Sequence, residues 1–203
     1  LLSKYTSFHI GGPAKFFVTA KSIDELQQIH RLVNEQSVKW AIIGGASNVI
    51  AGDDGFDGLI IQTGFDEIRI EGTDVHIEAG AITAVASSKI ASAGLTGFEW
   101  AIGVPGRIGG AIFGNAGAMG GEMKDVVMGV DVLDSLSLER KTLSNHECEF
   151  GYRESRFKKT REIILGCTMK LSVGDTETLK GKMKEFLSYR NTTQPKGFAS
   201  CGC

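Results

Sequence analysis

Residues 97–122 read GFEWAIGVPGRIGGAIFGNAGAMGGE. Only Glu99, Arg107 and Glu122 are charged in this stretch, so it is far less polar than an ordinary exposed loop. Gly103, Gly106, Gly109, Gly110, Gly114, Gly117, Gly120 and Gly121 punctuate it. A residue without a Cβ lets backbone come flush against a flat, partly apolar surface. An aromatic cofactor ring with a phosphate tail is such a surface. A buried connector with close backbone packing is the other reading.

The rest of the chain shares the bias. Glycine accounts for 27 of 203 residues and proline for only 3, against a usual glycine share of about 7%. A chain of this length builds one domain, or two small intimate ones, around a sizeable core. With 42% hydrophobic and 23% charged residues it reads as a folded soluble protein rather than a disordered one. It contains no apolar run of about 18 residues that could span a bilayer. The opening LLSKYTSFHIGG lacks the features of a signal peptide. A net charge of -2 and a pI near 6.1 argue against nucleic acid as the partner. The cysteines Cys148, Cys167, Cys201 and Cys203 form no C-x-x-C pair, and His9, His30, His76 and His146 are scattered. No metal site is expected, and the thiols are expected to be reduced, as in a cytoplasm.

Local patterns give the element order. Lys15–Ala20 reads as a strand. Ser22 and Glu25 form a capping box before an amphipathic helix over 23–35, with Ile23, Leu26, Ile29 and Val33 on its apolar face. Residues 39–43 read as a buried strand running into a glycine loop. Strands are predicted at 58–62, and at 67–71 and 74–79 as a hairpin turning at Gly72. A small-residue helix over 83–93 ends at Gly94. Strands at 126–133 and 162–173 and a solvated amphipathic helix at 177–190 complete an α+β order. Asp53 and Asp54 fall in a turn. Residues 134–140 lack the glycine expected of a tight strand connection.

The first glycine loop is Gly44-Gly45-Ala46-Ser47-Asn48. Placed after a strand, its successive N–H groups form a nest for a phosphate or pyrophosphate. The alternative is a tight turn capped by Ser47 and Asn48. It is neither a Walker loop nor G-x-G-x-x-G, which argues against an ordinary dinucleotide Rossmann site.

Four blocks in order resemble the flavoenzyme family of UDP-N-acetylenolpyruvoylglucosamine reductases: Thr6–Pro13 (TSFHIGGP), Gly44–Asn48, Gly97–Gly110 continuing through Asn115–Ala118 to Gly121-Glu122, and Gly151–Ser155 (GYRES). The resemblance implies noncovalent FAD in a fold of the vanillyl-alcohol-oxidase type, built from two α+β subdomains (1–63 and 64–175). Residues 176–203 would begin a C-terminal substrate subdomain that is mostly missing, including a second catalytic acid, a glutamate. Gly44, Gly45, Ala46, Ser47 and Asn48 would hold the pyrophosphate. Gly103, Val104, Pro105, Gly109, Gly110, Asn115, Gly117 and Ala118 would lie along the flavin and its phosphates. NADPH would reduce the FAD, and the enolpyruvyl ether of UDP-N-acetylglucosamine would be reduced to UDP-N-acetylmuramate for peptidoglycan.

Arg153 matches the family's catalytic arginine. A planar, permanently charged guanidinium suits a carboxylate that gains charge as hydride arrives; a surface arginine paired with Glu149 or Glu154 is the alternative. Cys203 matches the proton-donor position, with Ser200 second; a thiol is protonated near neutrality and can donate. The implied protein is a cytoplasmic monomer with a UDP-sugar partner and no nucleic acid or membrane. A flavin-binding fragment without activity and another FAD-linked oxidase are the competing readings.

Overall fold

The computed structural model describes residues 1–194, 197 and 199. The first sheet is small and parallel. β1 (Ala14–Ala20), α1 (Ile23–Glu35), β2 (Trp40–Ile43) and β3 (Phe56–Thr63) assemble with strand order β1-β3-β2. Ser22 caps α1 by accepting from the Glu25 N–H at 3.1 Å. The Glu25 carboxylate reaches one residue further back than expected, to the Lys21 N–H at 2.7 Å. Leu26, His30 and Val33 are the buried residues of α1. The expected burial of β2 is corrected: it is an edge strand, half-buried at every position, because it pairs with a strand, β3, on one side only.

The second sheet is antiparallel. It comprises β4 (Ile68–Glu71), β5 (Asp74–Glu78), β9 (Val127–Asp134), β10 (Arg140–Ser144) and β11 (Glu162–Lys170), in the order β10-β9-β11-β5-β4. Between β5 and β9 come α2 (Thr83–Ser92), β6 (Leu95–Thr96), α3 (Ile108–Phe113), β7 (Gly117–Ala118), β8 (Gly121–Glu122) and the single turn α4 (Met123–Val126). The strand expected at 162–173 breaks at Leu171, and β12 (Ser172–Val173) pairs with β6 instead. α5 (Thr176–Thr193) follows, capped by Asp175, whose carboxylate accepts from the Thr178 N–H at 2.8 Å.

The core lies between the second sheet and α2 and α3. Val75, Val130, Val132, Leu133 and Met169 of the sheet, and Ile90, Ile108 and Ile112 of the helices, are all essentially inaccessible. Each such side chain contributes about 1.5–3 kcal/mol by leaving water.

The 134–140 connection needs no glycine. The Asp134 carboxylate accepts from the N–H groups of Leu136 and Ser137, both at 2.9 Å, and Leu138 takes the left-handed backbone (φ 61°). The same turn ties the two sheets together. Gln27 and Asn34 of α1 donate to the carbonyls of Leu138 (2.9 Å) and Ser135 (2.7 Å).

Candidate functional site

β2 delivers the chain into Gly44–Asn48. Gln62 of β3 donates to the Gly44 carbonyl at 3.1 Å, and Ala46 is buried with a left-handed backbone (φ 48°). The N–H groups of Gly45, Ala46, Ser47 and Asn48 find no acceptor among the described residues. Four consecutive unpaired donors on a partly accessible loop suit an anion.

The second glycine stretch packs directly on the first. A Cβ on Gly45 would lie 2.8 Å from the Gly106 Cα. Gly106 itself stands at φ 102°, with Ser47 beside it. The Ser47 hydroxyl donates to the Pro105 carbonyl at 3.3 Å. Behind the contact, the Thr83 N–H donates to the Gly106 carbonyl at 3.1 Å. The N–H groups of Ile108 and Gly109 donate to Ala81 and Ala79, both at 2.9 Å. The Arg107 guanidinium donates to the Gly80 carbonyl. This backbone is thus stitched to the end of β5. Gly110 faces open space.

The rim continues from α3 to Arg153. Asn115 is fully buried with φ 41°. Gly117-Ala118 and Gly121-Glu122 form the β7–β8 hairpin, and Gly121 lies flat on the Trp100 indole. Arg153, also left-handed (φ 53°), donates to the Gly117 carbonyl at 2.9 Å and the Asn115 carbonyl at 3.5 Å. Its guanidinium lies 5.2 Å from the Tyr152 ring centroid. A cavity of about 440 Å³ opens here, between Gly103, Gly117, Met119 and Arg153 on one side and Tyr189 and Arg190 of α5 on the other.

Two carboxylates flank this rim. Hydrogen bonds from Lys124 and then Asn115 hold the Glu122 carboxyl below its ordinary value, and the Arg153 charge adds to them. Burial alone would raise the Glu99 carboxyl. The N–H groups of Glu99 and Gly97, the Thr96 hydroxyl and Lys182 outweigh that and lower it. The Lys182–Glu99 contact of 3.5 Å fastens α5 to the glycine segment.

The structure therefore brings Gly44–Asn48 together with Gly103–Gly110, and Asn115–Ala118 together with Arg153. Among the described residues no carboxylate pairs with Arg153; Glu154 faces Lys158 at 3.7 Å and Lys159 at 3.9 Å instead. Cys203 and Ser200 lie outside the described residues. Cys148 and Cys167 are buried, and burial pushes the Cys148 thiol up to about 11 and the Cys167 thiol higher still. Reading the sequence missed Tyr189 and Arg190, which looked like one solvated helix face. Arg107 was the available signal of a structural cation, the only one in an apolar stretch.

The FAD binding domain family matches residues 14–137. The UDP-N-acetylenolpyruvoylglucosamine reductases of Pediococcus pentosaceus and Lactiplantibacillus plantarum are 41% and 43% identical over 99% of this chain. The chain belongs to the UDP-N-acetylenolpyruvoylglucosamine reductase family. It spans 67% of the length of either relative. The crystal structure of the Thermus caldophilus reductase superposes with a TM-score of 0.85 at 29% identity, covering 100% of this chain and 71% of that one. The α+β FAD-binding fold expected from the four sequence blocks is the fold observed. No helix among the described residues of this reductase-family chain is long and apolar enough to cross a membrane.

Proposed function

We propose that the protein is an FAD-dependent reductase that uses NADPH to reduce the enolpyruvyl ether of UDP-N-acetylglucosamine enolpyruvate. The product, UDP-N-acetylmuramate, would serve peptidoglycan precursor synthesis in the cytoplasm. The carrying observation is one continuous rim. It starts at four amides with no acceptor among the described residues, passes through glycine backbone packed against them, and ends at an arginine that makes no ion pair with a carboxylate of the described residues and is held by carbonyls instead.

The Gly45–Asn48 amides and the Gly103–Gly110 backbone would hold FAD, whose chemistry when bound would be hydride transfer between NADPH and C3 of the enolpyruvyl group. The residues fit that cofactor. The amides of Gly45–Asn48 match a pyrophosphate, and the open side of Gly110 leaves room beside the helix. We take the FAD to be bound noncovalently. Arg153 would donate two N–H groups to the substrate carboxylate, where negative charge gathers as C3 takes the hydride. Trp100, Met119 and α5 would wall off water. Cys203, or Ser200, would give the proton that C2 requires, so that one hydride and one proton add across the double bond. We take residues 1–63 and 64–175 as the two FAD-binding subdomains and 176–203 as the start of the substrate-binding region, acting as a monomer.

An anaerobic visible spectrum tests the reading. The oxidised flavin band near 450 nm (an approximate position set by the cofactor's own chemistry) should bleach with NADPH and return when the enolpyruvyl substrate is added. Bleaching without return identifies a flavin-binding piece that lacks its substrate half. That outcome is the second reading. Absence of flavin from folded protein overturns both.

A further inference from the structure

Arg153 occupies the tip of a very short hairpin. Gly151 and Glu154 exchange backbone hydrogen bonds at 3.0 and 3.2 Å, leaving only Tyr152 and Arg153 between them. Tyr152 is 82% exposed, so the tip has little packing of its own. Its base, by contrast, is tied twice to the end of α3. The Asn115 amide donates to the Gly151 carbonyl at 2.8 Å. The Ser155 hydroxyl, 1% exposed, donates to the Phe113 carbonyl at 2.6 Å.

Both side-chain N–H groups of Asn115 are spent within the protein. Its second amide hydrogen goes to the Glu122 carboxylate at 2.8 Å, and its side-chain oxygen accepts from the Lys124 N–H at 3.0 Å. Its own backbone carbonyl is one of the two acceptors that hold the Arg153 guanidinium. The same residue therefore fixes the base of the hairpin and one resting point of its tip. We infer that Asn115 and Ser155 are positioning residues for Arg153: they clamp the 151–155 hairpin onto α3 and aim its guanidinium at the rim.

The inference rests on the reductase reading for what Arg153 does, so its test includes a readout independent of turnover. Asn115→Asp keeps the acceptor for Lys124 but removes both donors and sets a carboxylate against Glu122. Ser155→Ala removes the other tie and carries the test if Asn115→Asp fails to fold. Both are made in the FAD-loaded full-length protein. In Ser155→Ala flavin reduction by NADPH should stay within about twofold, and in both variants reoxidation by the enolpyruvyl substrate should slow about 10- to 100-fold, the scale of a misplaced catalytic group. Pairing either variant with Arg153→Lys should add little further loss, since the two act through one group. Phenylglyoxal labelling of Arg153, read by mass spectrometry, should accelerate in both variants.

Wild-type reoxidation rates with unchanged labelling would overturn the clamp. So would equal losses in both half-reactions together with lost flavin, which would make Asn115 part of the cofactor site or the general fold. If the wild type itself is never reoxidised by the substrate, the reductase reading fails. Labelling then judges the clamp alone: acceleration supports it and no change overturns it.

Discussion

The two glycine loops differ in where their backbone polarity goes. In Gly44–Asn48 the N–H groups from Gly45 onward find no partner among the described residues. In Gly106–Lys124 they are largely consumed by the protein: Ile108 and Gly109 by the end of β5, Met123 by Ala116, and Lys124 by the Asn115 side chain. The first loop can receive an anion because its donors are idle. The second is a scaffold whose shape, rather than its donors, is what it offers. Glycine-rich backbone thus serves two physical ends.

The sharpest way to break this comparison is at the point of contact. Gly45→Ala places a Cβ 2.8 Å from the Gly106 Cα, and backbone cannot step aside as a side chain can. Near-complete loss of bound flavin is expected, with about 1–3 kcal/mol of destabilisation from overpacking. The ratio of visible to protein absorbance and a denaturant titration check it; a fully yellow, fully stable variant would refute the contact.

Acid should separate the two halves. His30 on α1 is wholly buried beside Trp40, 4.6 Å ring to ring, and neither ring nitrogen has a hydrogen-bond partner among the described residues. Burial pushes its pKa from 6.5 down to about 4. The unfolded chain therefore takes up the proton first. Stability is fully present above about pH 6.5 and is lost as pH falls towards about 4, by roughly 3 kcal/mol in all. Glu99, Glu122 and Asp134, on the glycine segment and the second sheet, have lowered values. Their contribution is present above the ordinary carboxylate range and is lost only below it. Denaturant midpoints at pH 7 and pH 5 should differ in the wild type and converge in His30→Leu.

A smaller effect tests the join between the halves. Asp134→Ala removes two hydrogen bonds that shape the turn against α1. About 1 kcal/mol of stability should be lost, with the flavin spectrum retained. The smallest change in stability is expected for Gly110→Ala, whose Cβ meets nothing within 4 Å. Helix propensity alone predicts a gain of up to about 1 kcal/mol. Because that open side is where the cofactor is proposed to lie, flavin titration of this stable variant should show weaker binding. Unchanged affinity would move the flavin away from α3.

Much of this was legible in residue patterns. The α1 cap is visible because Ser22 and Glu25 act within one turn, and the β4–β5 hairpin because alternation and Gly72 are adjacent in sequence. Both glycine loops announce themselves by composition. The 134–140 turn was not legible, because a carboxylate and a left-handed Leu138 do there what a glycine was expected to do.

The sequence by itself determined the family, the longer elements β1, α1, β3, the β4–β5 hairpin, β9, α2 and α5, and the residue types of the rim, since each is written in local spacing; β10 and α3 were not legible in it. Only the tertiary structure decided that Gly45 meets Gly106, that Asn115 is consumed by Gly151, Glu122 and Lys124, and that Arg190 of α5 faces Arg153 across one cavity. These pairs lie 36 to 61 residues apart in the chain, apart from the local contacts of Asn115. Packing of the elements between them, not any nearby pattern, sets whether they touch.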